Sequence, residues 1–495
     1  MTTLTARTVA PPPPAPVRKL STGGVILIAA ASVVIVLVQL FVPLERQTIG
    51  VLAMVLSLLL LLLNVHVSIA FAVAGLVGLW PLGGWRAVQT TAESTVFASA
   101  ASWQLSVIPM FILMGVILWK GGLTAAAFEA ARIWFGRLPG GLAIATTVAG
   151  GGLAASSGST IGIVQSLSRM AIPEMLRHGY SPAMASGAVA ASGLLGQIIP
   201  PSVILVVYAG VMQTPVGPQL IAGVVPGLLI LTAFIAMILV RAAVSPRSVP
   251  SHRDLRATWS DRLRALPAAL PLVIVVVVVI GGLTSGAFTA TESGAFGVVA
   301  AVVASIWTQR RERHGARWWL SFLAESTFIA IRNAAAIFIL MAGVHFLTRV
   351  VALSQLAQGL ADSITHLGLS RLSLLLILML VFLFLGLFMD PLAMMLLTLP
   401  VLIVPLDVAG VDPIWFGIFI VLMAEIGMIT PPIGILSFII HRIASDPAIN
   451  HGRDTTIFDV YRGVTPYVLV SLGAVLLLIF FPEIATWLPT WAGQH

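Results

Sequence analysis

Four short runs of this chain carry oxygens that could hold a cation. They are the hydroxyls of Ser156, Ser157, Ser159 and Thr160 in GGGLAASSGST, the carboxylate of Asp390 in LFMDPLAMM, and the backbone at two double prolines. Pro200–Pro201 lies in SGLLGQIIPPSVIL and Pro431–Pro432 in AEIGMITPPIGIL. Proline acts here by subtraction. Without an N–H, Pro200 cannot donate to the carbonyl of Gly196, and Pro201 leaves that of Gln197; Pro431 and Pro432 do the same to Gly427 and Met428. Glycine at the freed position removes a side chain that would shield the oxygen. Na⁺ is a hard cation satisfied by such oxygens, by the logic that draws other hard cations to oxygen ligands. Two plainer readings stand beside this one. Ser/Gly-rich sequence also packs membrane helices closely, and Asp390 before Pro391 has the pattern of an N-cap with proline at the first helical position. An acid inside a membrane is nonetheless a functional candidate, and both readings can hold for one residue.

The elements that must position these groups are helices in a lipid bilayer. The chain has 495 residues, 59% of them hydrophobic and 9% charged, with a mean hydropathy of +1.06. Runs such as Val25–Val42, Thr48–Leu63, Leu272–Ile280 and Leu372–Met389 have the apolar content of spanning helices. About ten to twelve spans are expected, several of them short or interrupted. With no Cys in the sequence, disulfides, thiolate metal sites and Cys nucleophiles are excluded. No nucleophile–base pair, metal-ligand spacing or phosphate loop stands out, so an enzyme is not expected.

The net charge of +8 does not point to nucleic acid, because the basic residues cluster in short loops between spans, the positive-inside pattern. Arg241–Arg264 holds six Arg against Asp254 and Asp261, and Gln309–Arg317 holds four Arg against Glu312. Two apolar segments, Leu266–Gly282 and Glu292–Trp307, separate these loops, so both can face the cytoplasm. The Pro-rich tail over residues 1–20 reads as disordered, with Arg18 and Lys19 holding it inside and an uncleaved membrane anchor following it. The stretch Trp80–Trp103 is poor in Lys and Arg and reads as an exported loop.

The double prolines belong to an internal repeat. Gly179, Pro182, Gly196, Pro200 and Pro201 recur as Gly410, Pro413, Gly427, Pro431 and Pro432, each displaced by one interval (427 − 196 = 231). The same shift carries Ser159 onto Asp390. Repeated halves with Gly/Pro-interrupted segments in matching positions are the signature of secondary transporters whose site lies at the membrane midplane. Pro-kinked structural helices are the competing reading, and a non-transporting scaffold gives no reason for paired breaks with oxygen-rich partners.

SSGST, HGYSPAMASGAVAASGLLGQIIPPS, IAGVVPGLL, FMDPLAMMLLTLP and GVDPIWFGIFIVLMAEIGMITPPIG together resemble the large membrane (M) subunit of tripartite ATP-independent periplasmic (TRAP) transporters. The likeness runs from about Val51 to the last span, and IPMFILMGVIL also fits. The resemblance implies an all-α polytopic protein of the bacterial inner membrane, an elevator-type transporter with two inverted repeats and two re-entrant helical hairpins. It implies Na⁺-driven uptake of an organic acid, a small membrane (Q) subunit as a separate chain, and a periplasmic substrate-binding (P) protein. Carried over residue by residue, the first sodium site uses Ser157, Ser159, Gly196, Ile199 and Pro201, and the second Asp390, Gly427 and Thr430, with Pro432 shaping the loop. A stand-alone ion-coupled carboxylate carrier of similar architecture is the alternative.

Two departures from the family pattern matter. Thr commonly follows the hairpin Asp, whereas Pro391 stands here and one hydroxyl is lost; and an additional apolar segment, Val25–Val42, precedes the family-like region. The expected organisation is a tail (1–20), an extra helix (21–48), a first repeat (49–240), a basic linker (241–265) and a second repeat (266–495). For the substrate carboxylate, Arg169 and Arg332 are the basic candidates, with Arg349 further along the same apolar segment; snorkelling at the interface competes for all three. His66 and His345 read as packing residues, with a proton relay as the lesser alternative.

Overall fold

The computed structural model describes residues 22–100, 102, 104–157, 160–245, 249, 258–310 and 314–493, without the side chains of 96–100 and 154–157. The tail at 1–20, Ser159 and the centre of the basic linker lie outside the described residues. All regular structure within them is helical. Among the described residues, eight helices are long and apolar enough to cross a membrane, or nine if the bent pair Gln104–Lys120 and Leu123–Phe135, meeting at 64°, counts as one span. The expected ten to twelve spans thus become fewer long ones, because several apolar segments are broken. Pro182–Leu194 and Pro413–Ile429 have 13 and 17 residues. At 1.5 Å per residue each falls short of a hydrocarbon core about 30 Å thick.

Of the stretch Trp80–Trp103, expected as an exported loop, residues 80–100 are instead helical apart from a kink. The helix Val67–Ala100 continues through Trp80 and bends at Gly83 and Gly84, where Gly84 takes φ +60°. Only glycine adopts a positive φ readily, so the pair breaks the run into two helical pieces joined at a kink. The segments Leu266–Gly282 and Glu292–Trp307 appear as the antiparallel helices Trp259–Val276 and Ala290–Gln309. Each begins with a capping box, built by Thr258 with Asp261 and by Thr289 with Glu292.

The helices sort into a frame and a core by what they pack against. The frame is built on the 39-residue helix Ala316–Ser354 lying along Val67–Ala100, with Arg46–Leu62 and Val107–Lys120 beside them; Ala290–Gln309 packs on Val107–Lys120, and Trp259–Val276 on Ala290–Gln309. The core gathers the broken segments of both halves around Ile457–Phe480. Small residues set its closest approaches: Gly463 faces the carbonyl of Ala183, and a side chain on Gly427 would meet the Cα of Gly386 at 2.6 Å. Backbone contact of this kind is how helices associate where lipid offers no hydrophobic drive.

Candidate functional site

The repeat seen in sequence is a repeat of hydrogen bonds. Gly179 (φ +78°) ends the helix Thr160–Arg177, with its N–H donating to Leu176 O and that of Tyr180 to Met175 O, both at 3.0 Å. Gly410 (φ +63°) ends Pro391–Val408 in the same way, through Gly410 N–H to Asp407 O and Val411 N–H to Leu406 O, again at 3.0 Å. These are Schellman closures that need glycine at the left-handed position. Each is followed at once by a new helix with a side-chain cap and proline at its start. Ser181 accepts from Met184 N at 3.2 Å, and Asp412 accepts from Trp415 N at 2.7 Å.

The two repeats hold each other's turns. Tyr208 donates its hydroxyl to Pro413 O at 2.5 Å and Gln219 donates to Ile414 O at 3.1 Å, so first-half residues fix the start of Pro413–Ile429. In return Arg453 donates to Tyr180 O at 3.2 Å.

At the breaks the two halves diverge. The N–H groups of Ile198 and Ile199 both reach Leu195 O, at 3.3 and 3.2 Å, and no backbone N–H among the described residues donates to the Gly196 carbonyl. In the second half Thr430 N–H donates to Gly427 O at 3.1 Å. The expectation that proline leaves the Gly427 carbonyl bare is therefore corrected: the helix end closes on it with an i+3 bond, leaving one lone pair. The Met428 carbonyl is the one that receives no backbone N–H among the described residues. Thr430 donates its hydroxyl to Ile426 O at 2.6 Å, and Tyr461 donates to Pro432 O. Both double prolines are joined by cis peptide bonds.

Asp390 is the N-cap its sequence pattern suggests, and it also faces a cavity. It caps Pro391–Val408, accepting from Ala393 N at 3.1 Å, and it lines a cavity of about 230 Å³. Thr160 and Gln197 of the first repeat, Glu425 and Met428 of the second, and Asn333 of the frame line the same space. Glu425 is the residue the sequence reading missed. It is fully buried, and its Oε2 accepts from Thr160 Oγ1 at 2.9 Å across the two repeats. Its Oε1, equally buried, has no hydrogen-bond partner among the described residues. Two carboxyl groups therefore share a cavity that no Lys, Arg or His among the described residues lines. A buried carboxylate oxygen without a donor is costly, and a cation relieves that cost.

The other sequence candidates spread around this centre. Gly196 is buried beside Thr160, Ile199 packs on Gly227, and Pro201 is buried. Ser157 ends the helix Gly141–Ser157 next to the break, and Ser159 is not among the described residues. Pro432 is exposed. Arg169, Arg332 and Arg349 are exposed and none lines the cavity; Asn333, beside Arg332, does. His66 lies against Ser68, Nδ1 to Oγ 2.7 Å.

Residues 53–484 match the family model described as tripartite ATP-independent periplasmic transporter, DctM component. The chain belongs to this family. Among its relatives, the C4-dicarboxylate TRAP transporter large permease protein DctM of Pseudomonas aeruginosa is 32% identical over 402 residues, covering 81% of this chain and 89% of the relative. The ectoine TRAP large permease TeaC of Halomonas elongata is 29% identical over 429 residues, covering 87% of this chain and 96% of its own. The sialic acid TRAP permease SiaT of Haemophilus influenzae is 27% identical, with 88% of this chain and 68% of its own covered. Two solved structures share the fold. The YdaH transporter of Alcanivorax borkumensis superposes with a TM-score of 0.59 at 14% identity, over 81% of this chain and 90% of its own. MtrF of Neisseria gonorrhoeae gives 0.56 at 15%, over 92% and 97%. Membership of the DctM family and the long apolar helices make this a multi-pass membrane permease of a TRAP transporter.

Proposed function

We propose that the chain is the large membrane subunit of a sodium-driven secondary transporter in the bacterial inner membrane. It imports a small organic acid handed over by a periplasmic binding protein, with a small membrane subunit alongside. The observation that carries this reading is the cavity where the two repeats meet: it offers Asp390, Glu425, Thr160 and Gln197 and, among the described residues, no basic side chain. Such a lining repels an anion arriving alone and suits an anion arriving with cations. The relatives named for C4-dicarboxylate and sialic acid support the substrate class. Charge on the acid would be offset by bound sodium, since Arg169 and Arg332 stay outside the cavity.

In this reading the helix pairs Gly141–Ser157 with Thr160–Arg177, and Arg371–Gly386 with Pro391–Val408, are the re-entrant hairpins. The repeats occupy 49–240 and 266–495, joined by the linker 241–265. The cavity lies between the core and the frame helices that supply Asn333, Ile337 and Ile112. Elevator motion of the core against this frame would carry the site across the membrane. An imposed Na⁺ gradient should drive uptake into proteoliposomes, while a pH gradient alone should give at most a minor component. Uptake indifferent to Na⁺ sinks the coupling assignment.

A second expectation separates this reading from the stand-alone carrier. Chain reconstituted with the small subunit should take up substrate only when the cognate binding protein is supplied in excess. Comparable uptake of free substrate without that protein would establish the carrier instead.

A further inference from the structure

The frame carries a feature that transport chemistry does not use. At the basic ends of the antiparallel helices Trp259–Val276 and Ala290–Gln309 lies a cavity of about 270 Å³ lined by Arg264, Arg310, Thr308 and Trp307. Arg310 lies over the Trp307 ring, 4.5 Å from its centroid, and at the start of the other helix Arg262 lies 5.2 Å from the Trp259 ring. Among the described residues neither Arg264 nor Arg310 forms an ion pair within salt-bridge distance. Asp261 acts on Arg264 only at longer range, and its carboxylate is occupied by the Thr258 N–H at 2.9 Å and hydroxyl at 2.7 Å.

Trp307 also lines a second cavity, of about 190 Å³, with Leu270, Pro271, Ile274, Ala300 and Val303. Several of these side chains face outward: Leu270 is 47% exposed, Ile274 47% and Val303 59%. From Arg264 to Ile274 is ten residues along the helix, or about 15 Å at 1.5 Å per residue. That is about half of a 30 Å hydrocarbon core, the depth of one leaflet. The two cavities share Trp307, so a basic pocket at the interface adjoins an apolar trough that lies deeper in the same leaflet.

We propose that this groove binds one anionic phospholipid of the cytoplasmic leaflet, its phosphate between Arg264 and Arg310 and an acyl chain along Leu270, Ile274 and Val303. The positive-inside loops place these arginines on the cytoplasmic side, where anionic lipids attract basic side chains. Indole and guanidinium together suit the interface, since Trp anchors there and Arg stacks on it. Bound in this way, the lipid would fasten the two frame helices to each other at a point remote from the cavity between the repeats.

The test uses the full chain with its small subunit in nanodiscs of phosphatidylethanolamine containing a minor share of phosphatidylglycerol. Lipid retained through graded delipidation is read by native mass spectrometry. Phosphatidylglycerol should be retained preferentially. The double substitution Arg264→Gln, Arg310→Gln should lower its retention about twentyfold or more, at roughly fivefold per arginine. Arg264→Lys with Arg310→Lys should keep most of it. Val303→Trp should cut retention by filling the trough while leaving both arginines, which tests the site if the Gln variant fails to fold. Inorganic phosphate and glycerol 1-phosphate should not displace the lipid. Equal retention of phosphatidylethanolamine, displacement by soluble phosphate, or exclusion of lipid by the small subunit overturns the proposal.

Discussion

Alanine at Pro200 and Pro201 is expected to cut Na⁺-driven uptake at least about tenfold while membrane expression stays near wild type. The substitution supplies the N–H that position 200 lacks, one helical bond from the Gly196 carbonyl, which receives no backbone donor among the described residues. Proline disfavours a helix interior by about 3 kcal/mol relative to Ala, so two replacements shift the local balance by several kcal/mol toward a continuous helix. Continuity would occupy the carbonyls that the proposed first sodium site requires and straighten the segment that carries Gln197 into the cavity. A shift of only 1.4 kcal/mol against the competent conformation already lowers the rate tenfold. The pair Pro431→Ala, Pro432→Ala should act through Met428 more than Gly427, because Gly427 O already accepts from Thr430 N at 3.1 Å. Wild-type transport by either double variant would make the breaks structural kinks and remove the ion-site argument.

What the sequence made legible was whatever local backbone chemistry dictates. Gly179 and Gly410 announce left-handed closures, and Pro182 and Pro413 announce helix starts. The register between them is therefore the register of the fold. Asp390 was legible for the same reason, since Asp before Pro is a cap pattern and its place inside an apolar run made it suspect. Glu425 was not legible. The repeat shift carries it to Leu194 (425 − 231 = 194), an ordinary buried apolar residue, so symmetry gave no hint of it. Its partner Thr160 stands 265 positions away and is brought close only by tertiary packing. A glutamate inside the apolar run Pro413–Ile429 was itself the available signal, on the rule that intramembrane acids are functional by default. The stretch at 80–103 failed for the opposite reason. Scarcity of Lys and Arg speaks to the side of the membrane and not to secondary structure, and packing against Ala316–Ser354 keeps the chain helical on both sides of the bend.

Removing the carboxylate of Glu425 should weaken sodium coupling more than it weakens the fold, and two substitutions separate its parts. Glu425→Gln keeps an oxygen able to accept from Thr160, now 2.9 Å away, and nearly the same shape, but removes the charge. Glu425→Leu removes the acceptor as well and leaves the Thr160 hydroxyl buried without its partner. A unit negative charge about 5 Å from a bound cation contributes on the order of 3 kcal/mol at an effective dielectric of 20. The Gln variant should therefore raise the Na⁺ concentration for half-maximal uptake by at least about tenfold, with uptake largely restored at saturating Na⁺. The Leu variant should lose uptake that added Na⁺ does not restore, because the contact between the repeats is gone as well. Thr160→Val provides the complement: it breaks the cross-repeat bond while keeping the carboxylate, so the maximal rate should fall more than the Na⁺ dependence moves. Asp390→Asn should resemble Glu425→Gln, since that carboxyl lines the same cavity and an Asn can still cap Pro391–Val408. Measuring initial uptake against Na⁺ concentration in proteoliposomes resolves these patterns. An unchanged Na⁺ dependence in both Glu425→Gln and Asp390→Asn would show that neither carboxylate faces the coupling ion, and the cavity would then serve the substrate alone.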